Sequence, residues 1–155
     1  MDRKFILTCA STVDLPYSYL EQRQIPVIFY TYVVDGQDIN FEWGASTPDP
    51  SIATDDFSAR WTGYLEAKYT EDVTLKLVSD DGVRLWVDDE LVLDKWEAYS
   101  NALHEVTLPM ERGRFYKIKL EYNDLGLGAT CVMSWESAGQ ENEVIPIKYL
   151  YSTKP

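Results

Sequence analysis

From Phe41 onward the chain alternates in twos. In "KIKLEYND", Ile118 and Leu120 fall on one side and Lys117, Lys119 and Glu121 on the other, the signature of a half-buried antiparallel strand. Similar short segments follow one another: "FSARWTGYLEA", "EDVTLKLVSD", "GVRLWVD", "ELVLDKW", "HEVTLPM", "RFYKIKLEYND", "ATCVMSWES" and "EVIPIKYLYS". Turn signals separate them, namely DDG, VDDE, ERGR, DLGLG and SAGQ. Strands this short, repeating every ~8–12 residues, predict a mostly β protein built as an antiparallel sandwich. The polar stretch "GASTPDPSIATDD", with two prolines, reads as a surface loop.

The pattern ahead of Asp38 is different. "KFILT" is a short buried-type strand. "STVDLPYSYLEQRQ" carries a helix start, with Asp14 able to cap, Pro16 suited to the first turn, and Tyr17, Tyr19 and Leu20 opening an apolar face. "IPVIFYTYVVDG" is β-branched and aromatic and closes on a DG turn. Together they predict a β-α-β segment over residues 1–38, ahead of a sandwich over 39–155.

Charge follows the same division: residues 1–38 carry net −2 and the remaining 117 carry net −10. The total of −12 argues against nucleic acid and against anionic membranes, because both need clustered Lys and Arg. No apolar run reaches the ~18 residues of a membrane span, and "FIL" near the start is far short of a signal-peptide core of about 7–15. As written, the chain is expected to stay in the cytoplasm. Cys9 and Cys131, 122 residues apart, offer one disulfide or none and no zinc spacing. His104 is the single histidine and has no motif around it, so it reads as an exposed strand residue. There is no nucleophile elbow, P-loop or dinucleotide fingerprint, and no acid pair with a glycosidase signature, so no enzyme is expected.

Two resemblances refine this reading. "FSARWTGYL", "SDDGVRLWVD" and "VIPIKYLY", in this order and spacing, resemble the lectin-like β-sandwich named after the anthrax protective antigen, the "PA fourteen" domain. That family is usually extracellular. Many members bind carbohydrate, some with Ca²⁺, and others are structural spacers. "STVDLP" and "IPVIFYTYVVDG" resemble the opening of the DegV family of fatty-acid-binding proteins. That likeness stops near Asp38, before anything that could enclose an acyl chain, so lipid binding is not carried over. The chain therefore looks like a chimera, natural or recombinant, in which "VIFYTYVV" replaces the first strand of the sandwich. That exposed strand would also be the expected route to a homodimer.

The pair Asp80-Asp81 admits two readings. As a plain turn, DDG is a hairpin with Gly82 at positive φ and both acids in water. As a cation site it must gather ~6–8 oxygens, and neighbouring strand side chains normally point apart. The sandwich resemblance implies the second: paired aspartates joined by a cis peptide hold Ca²⁺, which in turn ligates sugar hydroxyls. It names Asp80 and Asp81, then Asn123 and Asp124 with the backbone around Gly126 and Gly128 in "YNDLGLGA". Leu125 and Leu127 depart from that pattern, standing where polar residues are expected. Asp88-Asp89 reads as a tight turn. Trp61, Trp86 and Trp135 fall in strand patterns and are expected in the core. Trp43 is expected to fasten the loop that follows it, and Trp96 and Tyr99 are the candidate sugar platform. The expected function is a non-catalytic, calcium-assisted carbohydrate-binding module. The alternative is a structural or interaction domain with no competent ligand site.

Overall fold

The computed structural model describes residues 38–50 and 53–155. The β-α-β lead, the replacement strand, Cys9 and the dimerising strand all lie outside these residues. Ten strands follow in chain order: β1 (Asn40–Gly44), β2 (Ser58–Glu66), β3 (Glu71–Asp80), β4 (Gly82–Val87), β5 (Glu90–Lys95), β6 (Ala102–Met110), β7 (Phe115–Asn123), β8 (Ala129–Ser137), β9 (Gln140–Val144) and β10 (Leu150–Tyr151). Among the described residues one 3-10 turn is present, spanning Ile147–Tyr149. No helix among the described residues is long and apolar enough to cross a membrane.

The strands form two antiparallel sheets packed as a sandwich. One has the order β1-β8-β3-β6, with β9 also pairing with β8; the other has the order β10-β2-β7-β4-β5. Alternation along each strand decides which side faces in. Leu75 and Leu77 of β3, Leu85 of β4, Leu120 and Tyr122 of β7, and Met133 and Trp135 of β8 are all buried between the sheets. Full burial of each such side chain contributes about 1.5–3 kcal/mol. The outward side of the same strands carries ion pairs, among them Lys76 between Glu105 and Glu136 at 3.1 and 2.8 Å.

Four expectations change. First, "DDG" is not a hairpin: β3 and β4 lie in different sheets, so Asp80-Asp81-Gly82 is the crossing from one sheet to the other. Gly82 is also absent from the positive-φ glycines, which among the described residues are Gly44, Gly113 and Gly126. Second, "EVIPIKYLYS" is not one strand, because Pro146 lacks the N–H a ladder needs and the chain turns there into the second sheet. Third, His104 is buried, since its register opposite Leu77 aims it inward. Fourth, Trp86 is only half-buried: it follows core-facing Leu85, and so projects from the outer face.

Several other local expectations match. Trp61 and Trp135 are core residues. Trp43 stacks on Phe41 at 4.9 Å, and its carbonyl accepts the Ser46 N–H at 2.9 Å, tying down the start of the loop. Asp88 and Asp89 occupy the β4–β5 hairpin turn with φ of 49° and 67° and pair with Arg114 and Lys117. Cys131 is a free, buried thiol, and its burial raises its pKa.

Candidate ligand site at the sheet crossing

The site forms where the chain passes between the sheets. Asp80 ends β3, Gly82 begins β4, and the Asp80-Asp81 peptide bond is cis. Asp81 is 6% exposed, and its carboxylate fastens two loops. Oδ1 accepts the Tyr99 N–H at 3.1 Å, and Oδ2 accepts the Leu125 N–H at 2.7 Å. The Asp80 carbonyl accepts the Tyr122 hydroxyl. The Asp80 carboxylate leans over Gly128, its Oδ2 3.3 Å from where a Cβ would stand. A side chain at 128 would compete for the space that this carboxylate fills.

Asn123 and Asp124 approach from the end of β7. Asn123 is opposite both Gly82 and Ser58, so its side chain sits where β2, β4 and β7 meet. It is buried, and its Oδ1 has no hydrogen-bond partner. A Cβ on Gly82 would lie 2.2 Å from that oxygen, which explains the glycine by close approach rather than by φ. Asp124 is 1% exposed. Its N–H donates to the Phe57 carbonyl at 2.8 Å, and its Oδ2 accepts the Asp56 N–H at 3.1 Å. Its Oδ1 is buried without a partner of acceptable geometry.

Gly126 follows at φ 124° and Leu127 at φ 73°. The Leu127 N–H donates to Asp55 Oδ1 at 3.0 Å. Leu127 itself is 92% exposed. On the other side, Tyr99 meets His104 edge to face at 4.7 Å, and the Arg84 guanidinium covers Trp96 at 4.6 Å. The Trp96 Cα is 3.2 Å from the Cβ position of Gly82. The crossing thus gathers Asp80, Asp81, Trp96, Tyr99, Asn123, Asp124, Gly126 and Gly128. Sequence reasoning missed Asp55 and Asp56, because a polar surface loop gives no sign of the distant carboxylate or amide it will meet.

Electrostatics here favours an added positive charge. Burial pushes the Asp124 pKa up to about 6; the N–H groups of Gly126 and Asp56 oppose this, and the charges of Asp81 and Asp55 add to it. Burial, and then the Asp81 charge, also raise the pKa of Asp80. Among the described residues no ion pair reaches Asp80, Asp81 or Asp124. Nor do any three His, Cys, Asp or Glu side chains form a ready metal cluster among them. A cation at this end would need Asn123 and main-chain carbonyls as well as carboxylates. Those donors are all hard oxygens, and the Oδ1 of Asn123 is buried and unpartnered, so the residue set fits Ca²⁺ better than a softer ion.

Fold and sequence together define the class. The chain belongs to the PA14 domain family, whose pattern matches residues 26–148. The match starts ahead of Ile39, inside the segment that the sequence assigns to the lead. The Anti-sigma-I factor RsgI3 of Acetivibrio thermocellus is 45% identical over 113 residues, covering 73% of this chain. A solved anti-sigma factor domain-containing protein is 43% identical over 76% of this chain, with a TM-score of 0.73. The chain spans 18% of the first relative and 40% of the second. The Epithelial Adhesin 6 A domain of Candida glabrata, solved in complex with Galb1-3GlcNAc, shares the fold at 15% identity, with a TM-score of 0.68, over 93% of this chain and 77% of that one.

Proposed function

We propose that this chain is a non-catalytic carbohydrate-binding module whose sheet-crossing end holds Ca²⁺. The observation that carries the reading is the convergence of the Asp80, Asp81 and Asp124 carboxylates, none of them ion-paired among the described residues, beside the buried, unpartnered Oδ1 of Asn123. A bound Ca²⁺ would supply compensating charge and open coordination positions for sugar hydroxyls. Asp80, Asp124 and Asn123 would hold it. Asp81 would position the two flanking loops, since both its oxygens already accept backbone N–H groups. Tyr99 and Trp96 flank the same end and would offer aromatic surface to the C–H face of a sugar ring.

The likeness to an anti-sigma-I factor supports a setting in which the module is the ligand-reading part of a longer regulatory protein. It equally supports the second reading, an interaction domain without a sugar ligand, because Leu125 and Leu127 are exposed at the rim where polar residues were expected. Calorimetric titration of chelator-stripped protein with Ca²⁺, followed by a glycan array with and without the metal, separates the two. Saturable Ca²⁺ binding that is lost in Asp80→Ala, with calcium-dependent glycan retention, is the expected result. Calcium binding without any glycan would favour the interaction domain, and no calcium heat at all would overturn the site.

A further inference from the structure

A third loop reaches the sheet crossing, from the chain just ahead of β2. Phe57 is its anchor. Its side chain is buried, with the ring 5.5 Å from that of Trp43 and 5.9 Å from that of Tyr122. Tyr122 in turn donates its hydroxyl to the Asp80 carbonyl. From this anchor the loop is laced to the one after β7. The Asp124 N–H donates to the Phe57 carbonyl at 2.8 Å, the Asp56 N–H to Asp124 Oδ2 at 3.1 Å, and the Leu127 N–H to Asp55 Oδ1 at 3.0 Å. Asp55 is itself steadied by the Thr54 hydroxyl, which donates to its Oδ2 at 3.3 Å.

The contact between Asp55 and Leu127 has the most to hold. Leu127 has a φ of 73°, in the left-handed region, where the Cβ of a leucine crowds its own backbone. Such a conformation persists only where the surroundings impose it. Burial does not impose it here, because the side chain is 92% exposed. The hydrogen bond to Asp55, 72 residues away in the chain, is the long-range contact that does.

Peptide planarity gives that bond a consequence. In a trans peptide the carbonyl points opposite to the N–H of the same plane, and Asp80-Asp81 is the one cis bond among the described residues. Three successive N–H groups of the loop are directed at carboxylates: Leu125 at Asp81, Gly126 at Asp124 and Leu127 at Asp55. The Gly126 carbonyl, which shares a plane with the Leu127 N–H, is therefore turned away from Asp55. Nearby, the buried Oδ1 of Asn123 has no hydrogen-bond partner and is an oxygen that a cation would satisfy.

We propose that Asp55 is a positioning residue of the calcium site: by holding the Leu127 N–H, it turns the Gly126 carbonyl toward the cation. This role presupposes the Ca²⁺ site proposed above. Asp55 acts through Leu127 and is not itself a ligand, so the role belongs to its acceptor oxygen and not to its charge.

Two variants separate acceptor from charge. Asp55→Asn keeps an acceptor oxygen and removes the charge, and Asp55→Ala removes both. Calcium is titrated by calorimetry into the chelator-stripped full chain of wild type and of each variant. Asp55→Ala should bind calcium about tenfold or more weakly than wild type. Asp55→Asn should recover most of that loss. The Tm in chelator should change little in either variant, since Asp55 is exposed. The Leu127 amide proton, followed by NMR in chelator, reads the hydrogen bond without calcium: its resonance should move in Asp55→Ala and hold in Asp55→Asn. Wild-type affinity in Asp55→Ala, equal losses in the two variants, an unmoved Leu127 amide in Asp55→Ala, or a chelated Tm that falls in step with the affinity overturns the proposal and leaves the calcium site standing. If wild type takes up no calcium, both fall, and the Leu127 amide still shows whether Asp55 holds the loop.

Discussion

At the scale of single residues, the crossing is controlled by atoms that approach too closely for substitution. Gly82→Ala places a methyl 2.2 Å from Asn123 Oδ1 and 3.2 Å from the Lys95 carbonyl, so it must displace Asn123 or open the crossing. A loss of about 1–3 kcal/mol in denaturant unfolding is expected, together with weaker calcium binding. Asp124 gives the crossing a pH dependence. Its folded pKa, about 6, lies above the ordinary 3.8, so the folded chain holds a proton that the unfolded chain releases. Its contribution to stability is therefore present at low pH and is lost as pH rises from 3.8 through 6. His104 acts in the opposite sense. Burial lowers its pKa, so protonation below pH 6.5 favours unfolding. The two are separated by Asp124→Asn: in chelator, the variant's Tm advantage over wild type should be larger at pH 7.5 than at pH 5. Calcium should remove the advantage, because wild type alone then gains a compensating charge.

At the scale of elements, β3 shows how differently the two faces of one strand count. Leu75 is fully buried and faces the opposite sheet, whereas Lys76, one residue on, makes its ion pairs on the outside. Leu75→Ala should cost about 2–5 kcal/mol, through lost burial and the cavity left behind. Lys76→Met should cost far less, because partly exposed pairs are screened by water. Equal costs in chemical denaturation would mean that β3 is not packed between two sheets. The alternation that fixes these faces was readable in the sequence. The connections were less so. Pro146 was visible, but the division of "EVIPIKYLYS" between two sheets depends on which strand edge is free, and that is a property of the other strands. Trp86 was misread for a related reason: a period of two identifies the two faces, and in "GVRLWV" Leu85 and Trp86 are both large enough to be core.

At the scale of the molecule, the sandwich brings two loops to one carboxylate, Asp81. Ligand binding there should stabilise the whole fold by mass action, because only the folded chain assembles the oxygens. At a calcium concentration of 100 times Kd the gain should be about 2.7 kcal/mol, seen as a rise in Tm by calorimetry. Asp80→Ala should abolish that rise, while its Tm in chelator should not fall, since the change removes one of several mutually repelling acids. A Tm that does not move with calcium would leave the crossing as a structural joint.

The sequence by itself determined most of the strands and the sandwich class, because period-two patterning and turn chemistry are local and physical, while the residues of the crossing were named by the family resemblance. Only the tertiary structure decided that Asp80-Asp81-Gly82 joins two sheets instead of closing a hairpin. It also revealed that Asp55 and Asp56 meet the loop after β7, that His104 is buried, and that Trp86 faces outward. Each depends on which strand lies next to which, and so on free energy shared among segments far apart in the chain.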